Sequence, residues 1–293
     1  MMLVMTGSEQ ARYIVAVSGG IDSVVLLDKL SRDGKQLIVA HVDHGVRPDS
    51  AEDLRFVSSL AVQYGHQFVS TSLSLGAGAS EDTARQARYE WLEAQRAKFA
   101  ADAIVTAHHE DDVLETICIN LTRSTGWRGL CSLRETSRVR RPLLGISKAE
   151  IIAYALEHAL EWHEDSTNDS MQYLRNRIRH VVIPKLTKEH RHRLLELYQS
   201  QLALRYEIEN EARGLVQLFS NKDGISRYSL IMLDETLGAE LLRDWLGRSL
   251  ERPRLRDLLW FAKVAKPGAK WSLGSKRFVA ASQRRLIVLP PRD

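Results

Sequence analysis

The first two-thirds of the chain alternates between two hydrophobic periods. Tyr13-Ile14-Val15-Ala16-Val17 is a short apolar run rich in β-branched residues, which predicts a buried strand. Directly after it, Val24, Leu27 and Leu30 recur at helical spacing over 23–30. The alternation continues with strands over 37–42, 68–75 and 103–107, and helices over 54–64, 80–99 and 112–121. Gly65 stops the second helix, and Ser80 caps the third with Glu81 and Asp82 at its positive end. Repeated strand–helix units predict an α/β fold with a parallel sheet covered by helices on both faces. In such sheets ligands bind beyond the carboxyl ends of the strands.

The pattern then changes. Ser147-Lys148-Ala149-Glu150 is a capping box that opens a helix over 147–160. A short basic helix over 173–182 is expected to end at Pro184. Residues 188–218 are charged, helical and strand-free, and read as a connector. The tail predicts a strand over 226–233, helices over 237–250 and 254–264, and strands over 270–273 and 285–288. The expected organisation is a catalytic domain over 1–188, then a helical connector and a small α+β module over 189–293.

A net charge of +4 and a sequence pI near 9.1 suit a polyanionic partner as well as an ordinary solvated surface. The two cysteines, Cys118 and Cys131, form no CxxC pair and complete no metal cage. No signal peptide is expected at the start, and no apolar run approaches the ~20 residues that cross a bilayer. A cytoplasmic protein without a membrane partner is the expectation.

Chemistry concentrates at three strand ends. Ser18-Gly19-Gly20-Ile21-Asp22-Ser23 lies between the first strand and the first helix. Glycines there let backbone amides approach an anion, and the helix N-terminus adds free N–H groups and a positive dipole. Asp22 repels a bare phosphate, which suggests Mg²⁺ as an intermediary. The Gly-Lys-Ser/Thr ending of a Walker loop is absent. His41-Val42-Asp43-His44-Gly45 closes the second strand, where backbone groups suit an adenine edge and His41 suits structural hydrogen bonding equally well. Arg85 and Arg88 share a helix face and suit pyrophosphate or a carboxylate. After the fourth strand, His108-His109-Glu110-Asp111-Asp112-Val113-Leu114-Glu115 crowds carboxylates that a cation would relieve. The dipole alone also favours acids there.

SGGxDS after a first strand resembles the pyrophosphatase-loop enzymes, which cleave ATP between its α- and β-phosphates. HVDHGVR, SEDTARQARY, AHHEDDVLET, Gly126-Trp127-Arg128-Gly129-Leu130, Arg141-Pro142-Leu143-Leu144, Asp165-Ser166-Thr167-Asn168-Asp169 and Arg175-Asn176-Arg177-Ile178-Arg179 follow in that order. Over about residues 11–190 the ordered set resembles the tRNA(Ile)-lysidine synthetase family. Where family members often run Gly-Leu-x-Gly-Met, this chain has Gly129-Leu130-Cys131-Ser132-Leu133.

The resemblance implies an adenine nucleotide alpha hydrolase-like, Rossmann-related fold. It also implies ATP and Mg²⁺ as cofactors, with an isoleucine tRNA carrying a CAU anticodon and free L-lysine as partners. ATP and its pyrophosphate would be held by Ser18, Gly19, Gly20, Ile21, Asp22, Ser23, His41, Asp43, His108, Arg85 and Arg175. Catalysis would fall to Asp22, Asp111, Asp112, Arg88 and Arg179, with Asp22 and Asp112 on the metal. Lysine's ammonium needs an acidic pocket, for which Asp111, Asp112 and Glu115 are candidates.

Basic clusters at 123–141 and at Arg175, Arg177, Arg179, Lys185 and Lys188 suit tRNA phosphates. The cationic tail suits an RNA stem. Its alternative uses are to buttress the catalytic domain or to form a homodimer contact. Rival readings are an amide synthetase, a tRNA thiolase, disfavoured by only two separated cysteines, and a non-catalytic tRNA-binding module.

Overall fold

A computed structural model describes residues 11–43, 50–73, 81–163, 174–247, 250–274 and 276–290. His44 to Arg47, Ser80 with the loop before it, and the block Asp165 to Asp169 lie outside the described residues. The chain divides into two compact units, Met1–Gln199 and Ser200–Asp293.

The first unit holds β1 (Arg12–Ala16), α1 (Ile21–Arg32), β2 (Gln36–Asp43), α2 (Ser50–Gln63), β3 (Gln67–Ser72), α3 (Glu81–Lys98), β4 (Ala103–Val105) and α4 (Glu110–Thr122). A short α5 (Trp127–Leu130), a two-residue β5 (Val139–Arg140), α6 (Lys148–Glu157) and α7 (Leu174–Arg177) follow. The strands form one parallel sheet in the order β3-β2-β1-β4-β5. Its period of two is visible in the core. Tyr13, Val15, Val39, Ala103 and Val105 pack with Val24, Leu27, Val57 and Ile151 of α1, α2 and α6. Ile14, Ile38, Ala40 and Ile104 point the other way and pack with Leu92 of α3. Apolar side chains on both faces explain why the strand sequences read as continuous runs rather than alternations.

A buried charge cross-ties three helices on the first face. Asp28 of α1 is fully buried and accepts hydrogen bonds from Tyr64 Oη after α2 and Tyr154 Oη of α6, each 2.7 Å. Arg32, one turn further along α1, donates to the same carboxylate at 2.8 Å.

The basic helix differs from expectation. Only 174–177 is α-helical, Ile178–Val182 is wound as a wider π segment, and Ile183–Lys185 continues as a 3₁₀ turn. Pro184 therefore sits inside helical backbone, within the first turn of the 3₁₀ piece where its missing N–H costs nothing. The long helix α8 (Lys188–Phe219) comes next. Its first turns belong to the first unit: Leu194 and Leu195 pack with Leu114, Ile178 and Ile183, and Tyr198 Oη donates to the Leu133 carbonyl at 2.8 Å.

The second unit holds β6 (Ser220–Asn221), β7 (Gly224–Ser226), α9 (Arg227–Met232), α10 (Glu235–Leu246), α11 (Arg252–Val264), β8 (Lys270–Gly274), β9 (Arg277–Ala281) and β10 (Arg285–Leu289). Its antiparallel sheet runs β6-β7-β10-β9-β8 over a core that includes Leu230, Leu241, Leu258 and Leu286. The strand expected over 226–233 is a helix beyond Ser226. Ser226 Oγ caps it by accepting from Ser229 N at 3.2 Å, and Arg227 and Leu230, three apart, are the buried pair. An apolar run that short fits either period.

Candidate active site at the carboxyl ends of the strands

The chain leaves β1 for β2 and β3 on one side and returns to β4 and β5 on the other, so β1 and β4 flank the switch point of the sheet. The SGGIDS loop follows β1 and the AHHEDD segment follows β4, which brings both to the crevice where such sheets bind ligands. Gly19 has φ +99°, a backbone conformation that side chains rarely adopt. Ser23 braces the loop from inside. Its Oγ accepts from the amides of Ser18 and Gly19, both at 3.2 Å, and donates to the Gly20 carbonyl at 2.8 Å. Its proton is thus spent within the loop, and Ser23 shapes the cradle instead of donating outward. Ser18 Oγ lies 3.3 Å from it and accepts from Gly20 N. Ile21 packs into the core below. From beyond α6, the His163 amide donates to the Gly19 carbonyl at 3.0 Å, while the His163 ring stacks on Phe56 and bonds Asp53 at 2.7 Å.

Asp22 opens α1 and meets two side chains from elsewhere. Lys148 Nζ lies 2.5 Å from Oδ1, and His109 Nε2 lies 3.7 Å from Oδ2. His109 is the N-cap of α4. Its Nδ1 accepts from Asp111 N at 3.3 Å, so the proton sits on Nε2, which is 3.6 Å from Asp112 as well. Asp112 returns the cap by accepting from His109 N at 2.9 Å. Burial pushes Asp112 upward, but His109, His108, that backbone amide and Arg179 outweigh it and hold the carboxyl below its ordinary value. His108 is driven down to about 3, chiefly by burial, with Asp112 opposing and Arg141, Arg85 and Arg88 reinforcing. It is a neutral imidazole whose Nδ1 lies 2.9 Å from Thr106 Oγ1.

Deeper along α4, Glu115 is buried and takes Arg179 Nε at 2.6 Å and Arg175 Nε at 3.1 Å. Arg179 also approaches Asp112 at 3.6 Å. Asp112 and Glu115 thus share one helix face, as their spacing requires. Asp111 points elsewhere, to Arg191 of α8 at 2.7 Å.

Several expected residues have structural duties. His41 is buried and donates through Nδ1 to the Val17 carbonyl at 2.9 Å, pinning β2 to the start of the loop. Asp43 accepts from Ser72 at 3.2 Å. Arg85 and Arg88 flank Tyr89, with guanidinium carbons 5.3 and 6.0 Å from its ring centre. Of the 123–141 cluster, Arg141 turns its guanidinium inward to the Arg134 carbonyl and Tyr89 Oη while its backbone amide donates to Glu135, and Arg138 reaches Glu93 and stays exposed. Around the departure at 129–133 the loop is tightly held. A side chain at Gly129 would collide with Thr125, and Asn120 grips the Gly129 carbonyl at 2.8 Å and Ser132 Oγ at 3.1 Å.

Sequence reasoning passed over Lys148, His109, His163 and Arg191. Lys148 had a readable signal, a cation at the first position of a helix, where the dipole disfavours it. Arg191 had none, being one basic residue among many on a charged helix.

A parallel sheet with a braced glycine loop at its switch point defines a nucleotide-binding α/β protein. The family model described as PP-loop domain matches residues 2–186, and the chain belongs to that family. It is similar to the tRNA(Ile)-lysidine synthase of Solibacter usitatus, 38% identical over 190 residues, which are 64% of this chain and 43% of that protein. It is likewise similar to that of Deinococcus deserti, 40% identical over 180 residues, 59% of this chain and 33% of that one. The chain thus spans well under two-thirds of the length of these relatives. In fold it is similar to a U34-tRNA thiolase from Methanococcus maripaludis, with a TM-score of 0.56 and 16% identity over 67% of this chain and 72% of that one. No helix among the described residues is long and apolar enough to cross a membrane.

Proposed function

We propose that the chain uses ATP to adenylate the wobble cytidine of an isoleucine tRNA with a CAU anticodon and joins free lysine to it, forming lysidine in the cytoplasm. The observation that carries this reading is the convergence of the loop after β1, the N-termini of α1, α4 and α6, and the Glu115–Arg175–Arg179 group at one edge of the sheet. The cytosine carbonyl oxygen attacks the α-phosphorus. The new P–O bond forms as the bond to the β-phosphate breaks, and pyrophosphate leaves with the electron pair. The amine of lysine then attacks the activated carbon, loses a proton, and AMP departs.

The loop amides and the α1 N-terminus suit the departing pyrophosphate, and Arg85 and Arg88 suit its charge. Asp22 and Asp112 supply hard oxygen donors, the chemistry that Mg²⁺ takes. Among the described residues no three His, Cys, Asp or Glu side chains form a ready cage, in keeping with a cation that draws most of its ligands from phosphates and water. When bound, Mg²⁺ neutralises charge on the phosphates. Glu115 and Asp112 suit the lysine ammonium, and Arg175 or Arg179 its carboxylate. His108, held neutral by burial, and Asp112, held below its ordinary value, are both weak acceptors for the proton of the amine.

The test is pyrophosphate release with ATP, tRNA and lysine, each omitted in turn. Release that needs tRNA, with lysine then appearing on it, supports the reading. Release without tRNA would indicate a small-molecule amide synthetase. Release with tRNA but no incorporated lysine would indicate another tRNA modification such as thiolation. No release at all would indicate a binding module.

A further inference from the structure

Lys148 stands on Asp22 for reasons that local stability does not supply. It is the first residue of α6, where the free N–H groups already make the end positive, so a cation there is unfavourable to the helix. The capping box of Ser147 and Glu150 fixes that end. Buried Ile151 and Ala155, and Tyr154 on Asp28, clamp α6 against α1. The packing therefore delivers one ammonium to the one carboxylate of the phosphate loop, across 126 residues of sequence.

The pair is weakly committed. The two side chains are 36% and 31% exposed, so water screens the ion pair and it exchanges partners at little cost. A triphosphate on the α1 N-terminus brings a larger charge within reach of the lysine's flexible four-carbon stem.

Resting on the ATP-binding reading of this loop, we infer that Lys148 is a catalytic residue with two positions. Without nucleotide it covers Asp22 and takes the place of a divalent cation. With ATP bound it yields Asp22 to that cation and moves to the non-bridging oxygens of the α-phosphate. There it neutralises the charge that builds as the new P–O bond forms and pyrophosphate leaves, and it keeps its own proton throughout.

The experiment compares the full chain with Lys148→Met, which retains the stem without the charge. Two readouts are taken. The first is binding of Mn²⁺ alone to the nucleotide-free protein, followed by electron paramagnetic resonance. Removing a competing cation is expected to tighten it about five-fold, the equivalent of about 1 kcal/mol. The second is single-turnover pyrophosphate release with saturating ATP and tRNA, expected to fall about 100-fold while half-saturation by ATP changes less than five-fold. Unchanged or weaker Mn²⁺ binding overturns the covering role, and a rate within three-fold of the parent overturns the catalytic one. A parent protein that releases no pyrophosphate would count against the functional reading instead, and the Mn²⁺ arm would still decide whether Lys148 covers Asp22.

Discussion

Replacing Asp28 by alanine removes the acceptor on which α1, α2 and α6 converge. Two half-buried tyrosine hydroxyls, each 2.7 Å from a carboxylate with no exposed side-chain surface, lose their partner. Hydrogen bonds to a charged group contribute about 1.5–3 kcal/mol each, so the two together set a loss of about 3–6 kcal/mol. Arg32 adds little, since its side chain is 56% exposed and turns to water. In equilibrium urea unfolding with a slope near 3 kcal/mol per M, the midpoint should fall by about 1–2 M. Tyr64→Phe and Tyr154→Phe in the Asp28→Ala background should recover part of that loss, because removing both partners of a buried hydrogen bond costs less than orphaning one. A midpoint shift below about 0.3 M, or no coupling in the cycle, would refute the claim that this cluster clamps α6 to α1.

Asp22→Ala should lower pyrophosphate release by about 100-fold or more with an unchanged urea midpoint, since its side chain is part-exposed at the loop; a near-normal rate would sink its role. Acid should weaken the fold through His108 and Asp112. Both lie below their ordinary values when folded, so the unfolded chain binds more protons. The stability they confer is present above those ordinary values. It is lost for His108 as pH falls from 6.5 towards about 3, and for Asp112 below 3.8. Measured between pH 7 and 4.5, stability should fall less steeply in His108→Asn than in the parent, and equal slopes would contradict it. Affinity for tRNA should drop steeply with salt if exposed Arg123, Arg177, Lys185 and Lys188 face phosphates, with a slope of about −0.9 per phosphate on duplex regions; a flat response would place the RNA elsewhere.

The sheet was legible because both its faces are covered, which leaves uninterrupted apolar runs at Tyr13 to Val17 and Leu37 to Ala40. β5 escaped notice: two residues, Val139 and Arg140, carry no period. β9 escaped because its apolar residues belong to a short hairpin strand between turn residues. The carboxylates of α4 were visible as a cluster, but their division was not. Asp112 and Glu115 go to Arg179 while Asp111 goes to Arg191, and that sorting depends on where the polypeptide beyond α7 returns. Likewise His41 is one hydrogen bond from being a ligand candidate. Only the position of the Val17 carbonyl shows that its Nδ1 proton is already used.

The wider winding of Ile178–Val182 makes residue count itself part of the site. Each residue of an ordinary helix turns the chain by about 100°, so shortening this stretch by one would rotate everything after it by roughly that angle. Arg179 would still be tethered to Glu115 from upstream, but Arg191 would be carried round the helix axis away from Asp111, and Leu194 and Leu195 out of their packing with Leu114. A conservative substitution there should be tolerated more readily than the loss of a single codon, and this short stretch is where length polymorphism would uncouple Asp111 of α4 from the helix that leads out of the domain.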